Sequence, residues 1–269
     1  MPDRKMLVLR DVRKTFNPGT VTEKTALCGV DLTLNRGDFV TVIGGNGAGK
    51  STMLNAVAGT FQIDRGEILI DGKNVTHLPE YRRAAHLGRV FQDPMTGTAA
   101  SMNIEENLAL AARRGQARGL RWGITARERT VYREKLASLD LGLESRLGSK
   151  VGLLSGGQRQ ALTLLMATLK QPELLLLDEH TAALDPKTAE KVLGLTENLI
   201  RDNSLTALMV THNMRDALTL GNRLIMMHEG RIILDLSREE KEHMTVDDLL
   251  AQFEKVSGHE LSNDRMLLT

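Results

Sequence analysis

The sequence predicts an α/β protein with a mostly parallel core sheet, an N-terminal antiparallel β subdomain and an inserted α-helical subdomain. Three observations carry this expectation. The apolar run Phe39-Val40-Thr41-Val42-Ile43 leads directly into Gly44-Gly45-Asn46-Gly47-Ala48-Gly49-Lys50-Ser51-Thr52, and a helix-compatible stretch, Thr52 to Ala58, follows. A second apolar run, Leu174-Leu175-Leu176-Leu177, ends in Asp178 and Glu179; an uninterrupted run of this kind suits a strand covered on both faces of a parallel sheet. From about Met102 to Leu169 the hydrophobic period becomes helical.

The glycine-rich loop has the form G-x-x-x-x-G-K-S, and its strand–loop–helix setting is what turns that pattern into a phosphate site. Glycines let the backbone close around oxygens without side-chain collision or costly positive φ. Backbone N–H groups and a helix N-terminus then face a polyphosphate. Lys50 supplies a point charge for the β- and γ-phosphates, and the Ser51 hydroxyl can ligate magnesium. The chain is therefore read as binding a nucleoside triphosphate.

At 269 residues the chain is long for one compact domain, which favours a core with an insertion. Its 41% hydrophobic and 26% charged content is that of an ordinary globular protein. The formal net charge of +1, from 35 Lys+Arg against 34 Asp+Glu, gives no general attraction to nucleic acid. The lone Cys28 excludes an intrachain disulfide and fits a reducing compartment. No apolar run approaches the ~20 residues that span a bilayer, and Met1-Pro2-Asp3-Arg4-Lys5 leads into a strand pattern rather than a secretory segment. The expectation is a cytoplasmic chain whose membrane contact runs through partners.

Taken in order, Met6 to Val12 and the strictly alternating Val30 to Leu34 read as strands, with a turn at Phe16-Asn17-Pro18-Gly19-Thr20 between them. Phe16 invites stacking on a nucleobase; a partly buried loop phenylalanine is the other reading. Glu67 to Gly72 is a strand ending in a turn, and Leu87 to Phe91 is a short strand that stops at Gln92-Asp93-Pro94. Gln92 at a strand end could ligate magnesium or sense a γ-phosphate, or simply be a solvated loop residue. Ile104, Leu108, Leu110 and Ala111 suggest one amphipathic helix, and Val131, Leu136 and Leu139 a second. Arg113, Arg114, Arg118 and Arg121 form a basic cluster around Gly115 and Gly119, read foremost as solvated surface and otherwise as a face for an anionic membrane surface or a partner. Ser155 is a candidate N-cap for the next helix, to Leu169, and Gly156 and Gly157 let its backbone approach an anion. Asp178 and Glu179 fall at the carboxyl end of their strand, where ligands of parallel sheets sit. Asp185-Pro186 starts a helix to about Ile200; Thr206 to Val210 is a strand ending at Thr211-His212; Arg223–Met227 and Gly230–Asp235 make a hairpin. Thr245 to Val256 closes with a short helix, and the tail from Ser257 is polar and expected to be poorly ordered.

Together these pieces resemble the ATP-binding subunit of an ABC transporter over nearly the whole chain, from about Met6 to Phe253. The glycine-rich loop, Gln92, Leu154-Ser155-Gly156-Gly157-Gln158, Leu177-Asp178-Glu179 and His212 occur in that family's order. The resemblance implies a P-loop NTPase (RecA-like) fold in a single ABC ATPase domain over 1–256. Segments 1–92 and 170–256 would form the nucleotide-binding core with its β subdomain, 93–169 the helical insertion carrying the signature, and 257–269 the tail. It implies ATP and Mg2+ as ligands. Phe16 would stack on adenine, and Gly45, Asn46, Gly47, Ala48, Gly49, Lys50, Ser51 and Thr52 would hold the phosphates. Asp178, with Ser51 and Gln92, would hold magnesium, and Gln92 would link the site to a membrane partner. Glu179 would be the general base, and His212 would contact the γ-phosphate. Asp185 would lie at a dimer seam, across which Ser155, Gly156, Gly157 and Gln158 would complete the site of the opposite subunit. His180 departs from the family's usual proline after the glutamate and is read first as a tolerated loop substitution, with a pH-sensitive or water-linked role as the alternative.

The stretches Asp178–Thr188, Val210–Met214 and Gly221–His228 further resemble a subgroup labelled a tryptophan/tyrosine uptake system. The resemblance thus implies an ATPase at the cytoplasmic face of the cell membrane that powers a bacterial importer of a small solute such as an aromatic amino acid. It would dock on a transmembrane permease through Asp93 to Ser101, work with an extracytoplasmic substrate-binding protein, and form a homodimer when ATP is bound. An exporter or a lipid- or lipoprotein-handling system shares every catalytic motif. A non-transport ABC ATPase acting on DNA or ribosomes fits less well, because Lys50 to Leu154 holds no long coiled coil, the chain carries one motif set, and its charge is near neutral.

Overall fold

A computed structural model of the chain describes residues 4–116 and 123–257. Arg118, Arg121 and the tail beyond Ser257 lie outside the described residues. In chain order, β1 (Lys5–Phe16), β2 (Lys24–Asn35) and β3 (Phe39–Ile43) precede α1 (Lys50–Ala58), β4 (Arg65–Ile70), β5 (Lys73–Asn74) and α2 (Glu80–Arg83). Then come β6 (Leu87–Val90), α3 (Ile104–Ala112), α4 (Ala126–Ala137), α5 (Gly156–Thr168), β7 (Leu174–Asp178) and α6 (Pro186–Asp202). The chain finishes with β8 (Thr206–Val210), α7 (Met214–Thr219), β9 (Arg223–His228), β10 (Arg231–Leu236), α8 (Arg238–Glu242) and α9 (Val246–Ser257). These elements fall into two compact units, one formed by residues up to Arg83 together with those from Ser204 onward, the other by Ala84–Asn203.

In the first unit an antiparallel sheet runs in the order β2-β1-β4-β5. Leu9 pairs with Leu32 on one side and Ile68 on the other, so buried leucines and isoleucines meet across three strands. Both β1 and β2 extend beyond the runs expected from alternation. A bulge between Leu9 and Val12, where Asp11 takes φ 44°, breaks the alternation in β1 and conceals the continuation. In the same unit β3 lies between β8 and β9 and is parallel to both, and β10 pairs antiparallel with β9. Val42 pairs with both Val210 and Ile225, so the segments after β3 and β8 leave the same edge.

Two buried cations end helices in this unit. Arg83, 1% exposed, donates Nη1 to the carbonyls of Ala56 (2.7 Å) and Val57 (3.0 Å), Nη2 to Thr76 (2.9 Å) and Nε to Leu78 (2.9 Å). Its charge sits at the C-terminus of α1, where the helix dipole favours a cation. Lys241 likewise donates to the carbonyls of Leu220 and Gly221 beyond α7, and burial pushes its pKa down to about 8. Leu249 and Phe253 of α9 bury against Met214, Leu224, Met226 and Leu236.

In the second unit β6 and β7 are parallel, with Val90 opposite Leu177. Helices α3 to α5 enclose a core that includes Ile104, Leu108, Tyr132, Leu136, Val151 and Leu165. The apolar faces differ in detail from those expected. Leu110 and Val131 are 40% and 41% exposed. The buried stripes run Ile104–Leu108 and Tyr132–Leu136–Leu139, at i, i+4 and i, i+4, i+7. Leu110 falls two positions past Leu108 and turns outward. Arg113 and Arg114 are also not simple solvated surface. Arg113 pairs with Glu128 (3.0 Å) and donates to Ala109 and Gly123 carbonyls, while Arg114 donates to the Ala167 carbonyl (3.1 Å) and burial lowers its pKa.

Candidate active site

The phosphate loop and α1 are positioned by β3. Gly49 caps α1 in the left-handed region, at φ 100°, with no side-chain cap bond. A Cβ there would lie 2.6 Å from the carbonyl oxygen of Ala26, so both the dihedral and the space require glycine. Lys50 is 7% exposed and donates Nζ to the carbonyls of Gly44 (2.6 Å) and Gly45 (3.2 Å), which holds its charge inside the loop. Asn46, Gly47 and Ser51 are exposed; Gly45 and Ala48 are buried, and Thr52 is half-buried. In the same unit His212 follows β8 and is exposed. The adjoining Asn213 caps α7 by accepting from the amides of Arg215 (2.9 Å) and Asp216 (3.1 Å). Burial raises the pKa of Asp216, and His212 opposes that rise. Phe16, half-buried, meets Phe61 edge-on with centroids 5.2 Å apart, and Lys14 lies 5.5 Å from the Phe16 centroid.

The second unit brings together Gln92 and Glu179. They follow β6 and β7, whose parallel pairing sends both chains out at the same end, and Gln92 Nε2 donates to Glu179 Oε2 at 3.2 Å. Glu179 adopts φ 41°, a left-handed conformation uncommon for a residue with a side chain. Asp178 closes β7 and is half-buried. Asp185 caps α6, accepting from the Thr188 amide at 3.1 Å, and bonding from Thr188 lowers its pKa. Ser155 caps α5: its Oγ accepts from the Gln158 amide (3.3 Å) and its own amide donates to Gln158 Oε1 (3.2 Å). Gly157 touches the start of α6, since a Cβ there would lie 2.2 Å from Thr188 Cγ2.

Among the described residues no group of three or more His, Cys, Asp or Glu could hold a metal ion. Magnesium carried by a nucleotide needs only one or two protein oxygens beside phosphate and water. The Ser51 hydroxyl and the Asp178 carboxylate are donors of that hard type. No described helix is long and apolar enough to cross a membrane.

The sequence profile of the ABC transporter family matches residues 27–182. The chain belongs to the ABC transporter family. It is an ATPase subunit of that family, the ATP-binding part of a transporter. A tyrosine transport ATP-binding protein of Clostridioides difficile is 44% identical over 255 residues, covering 93% of this chain and 99% of that protein. The spermidine/putrescine import ATP-binding protein PotA of Pasteurella multocida is 34% identical over 88% of this chain, which spans 60% of PotA's length. Among solved structures, the ATP-binding cassette MJ0796, a dimer in a post-hydrolysis state with ADP and phosphate, superposes with a TM-score of 0.74. It shares 31% identity over 87% of this chain and 99% of its own.

Several residues of this ABC subunit escape a reading of the sequence. Asn213 leaves a detectable signal, a capping residue before a short helix with Asp216 three positions on. Phe61 leaves none, because its partner Phe16 is set by the fold.

Proposed function

We propose that this chain is the ATP-hydrolysing subunit of a bacterial importer for a small solute such as an aromatic amino acid, acting as a peripheral protein at the cytoplasmic face of the membrane. The observation that supports an amino-acid solute is the end-to-end 44% identity with a protein named for tyrosine transport, and import as the direction is supported by the 34% identity with a protein named for spermidine/putrescine import. The chain works as a homodimer in the ATP-bound state. It docks through Asp93 to Ser101 on a transmembrane permease fed by an extracytoplasmic substrate-binding protein.

In this reading Phe16 stacks on adenine, and the amides of Gly45 through Thr52 with the Lys50 ammonium hold the phosphates. Ser51 and Asp178, with Gln92, hold Mg2+, which when bound offsets charge on the phosphate oxygens. Glu179 takes a proton from water as the water oxygen bonds to the γ-phosphorus. The bond from that phosphorus to the β,γ-bridging oxygen breaks, and ADP and phosphate leave. His212 donates to the γ-phosphate. Gln92, bonded to Glu179 at 3.2 Å, fixes the carboxylate and passes the permease's state to it. Ser155, Gly156, Gly157 and Gln158 face the nucleotide of the opposite subunit, beside Asp185 at the seam. ATP then favours the closed dimer, and hydrolysis releases it.

Glu179→Gln should lower kcat by about 10²–10⁴, the usual contribution of a general base, while ATP binding persists. A Gln variant that turns over at the parental rate removes Glu179 from that role. The transport reading is tested by labelled tyrosine and tryptophan uptake in cells with the chain deleted and restored. Uptake that does not depend on the chain rejects the aromatic amino acid, and ATP-dependent efflux in inverted vesicles would instead favour export.

A further inference from the structure

The turn that leaves β7 carries Glu179 in a left-handed conformation, and short-range bonds alone do not fix where it sits. Within it, the Ala182 amide donates to the Glu179 carbonyl (3.0 Å) and the Leu184 amide to the Thr181 carbonyl (3.1 Å). These shape the turn but tie it to nothing outside. One tie to α6 comes from His180. Its side chain is 2% exposed, and Nε2 lies 3.0 Å from Oγ1 of Thr196, a fully buried residue of α6. The single hydroxyl proton of Thr196 is committed to the Val192 carbonyl at 2.8 Å. With that hydroxyl donating to the carbonyl, Nε2 is the donor to Oγ1, which fixes the orientation of the ring.

The residue beside the candidate base is thus moored to the body of α6, whose first turn is capped by Asp185. On its other side, the Glu179 carboxylate accepts from Gln92. We propose that His180 and Thr196 are positioning residues for hydrolysis: their buried hydrogen bond holds the Glu179 backbone in its left-handed state, so that the carboxylate keeps its aim and the Asp185 turn moves with it. This inference rests on the reading of Glu179 as the base. Relaxation of Glu179 toward common backbone angles would swing the carboxylate away from Gln92 without touching a phosphate-binding group.

The test is steady-state ATPase kinetics on the full chain, with ADP binding by calorimetry in the presence of magnesium and thermal melts on the same samples. The variants are T196V, T196S, H180A and H180Q, with E179Q as reference. Thr196→Val keeps shape and removes the hydroxyl; Thr196→Ser restores it. His180→Gln keeps an N–H donor at comparable reach. T196V and H180A should lower kcat per folded molecule at least about tenfold, as small misplacements do, while KM and the ADP affinity stay within about threefold. T196S and H180Q should recover most of kcat. A purely structural role would instead lower the melting temperature with kcat per folded molecule unchanged. Should H180A fail to fold, the T196V and T196S pair decides. An inert E179Q with T196V at parental kcat overturns the mooring alone. An active E179Q overturns the base role first, and the mooring with it. Loss of kcat and ADP binding together in T196V, without rescue by T196S, also overturns it.

Discussion

Two helices of this chain begin at glycine-rich turns, and they begin in opposite ways. α1 starts at Gly49, in the left-handed region and with no side chain capping its first turn. α5 starts at Ser155, which closes a capping box with Gln158 in both directions. A helix N-terminus presents backbone donors that need acceptors. The first start is shaped by backbone alone and brings Lys50 beside it, which suits an external polyphosphate. The second satisfies part of its own need from its own side chains. Glycine near a helix start therefore does not by itself mean a phosphate grip. At α5, Gly157 serves contact with Thr188 of α6, and Ser155 serves the cap.

The comparison breaks most visibly at Gly49. Alanine there meets two penalties that no neighbour can relieve, φ of 100° and a backbone carbonyl 2.6 Å from the new Cβ. Gly49→Ala should weaken ATP binding by about 100-fold or more, the equivalent of ~3 kcal/mol. Nucleotide titration reads this, and binding within about threefold of the parent would mean the loop tolerates reshaping. Gly157→Ala should behave differently, because the obstacle is a side-chain methyl. Its cost should be about 1–3 kcal/mol in urea unfolding, typical of overpacking. Adding Thr188→Ser removes the methyl and should return most of it, a coupling a double-mutant cycle can measure. Additive effects would show that Gly157 is required for some other reason.

What could be read in advance divides by the range of the forces involved. The strands Phe39–Ile43, Leu174–Asp178 and Thr206–Val210 stand where their apolar runs place them, because a buried parallel strand has no exposed face to interrupt it. The cap at Ser155 and the helix starts at Asp185 and Thr245 are legible because a cap and its partner lie within one turn. Gln92 and Glu179 are legible as strand ends, but not as a bonded pair. Arg83 was invisible as a core residue: its partners at Ala56 and Val57 lie in another element, and nothing near it in sequence announces them. His180 and Thr196 were equally hidden. Leu110 and Val131 misled for a different reason, since single apolar residues are common on protein surfaces and carry no direction without a full stripe.

The smallest expected effect is also the one that separates two roles of one residue. Ser155 caps α5, so Ser155→Ala should cost about 1 kcal/mol of stability, the usual worth of an N-cap. If capping were its whole contribution, Ser155→Asp would be neutral in every assay, because aspartate caps as well as serine. The proposed role opposite a partner subunit's nucleotide adds a requirement that aspartate cannot meet. A carboxylate facing a γ-phosphate repels it, and no counter-charge is gained. Ser155→Asp should therefore keep the parental urea midpoint while ATPase activity falls at least about tenfold, since like charges held close are strongly disfavoured where solvent is excluded. Because the defect lies in assembly, it should also remove ATP-induced dimers from size-exclusion profiles. An Asp variant with parental stability, parental turnover and parental dimers would leave Ser155 as a cap and nothing more. The helix start at α5 would then be a purely internal device, in full contrast to that at α1.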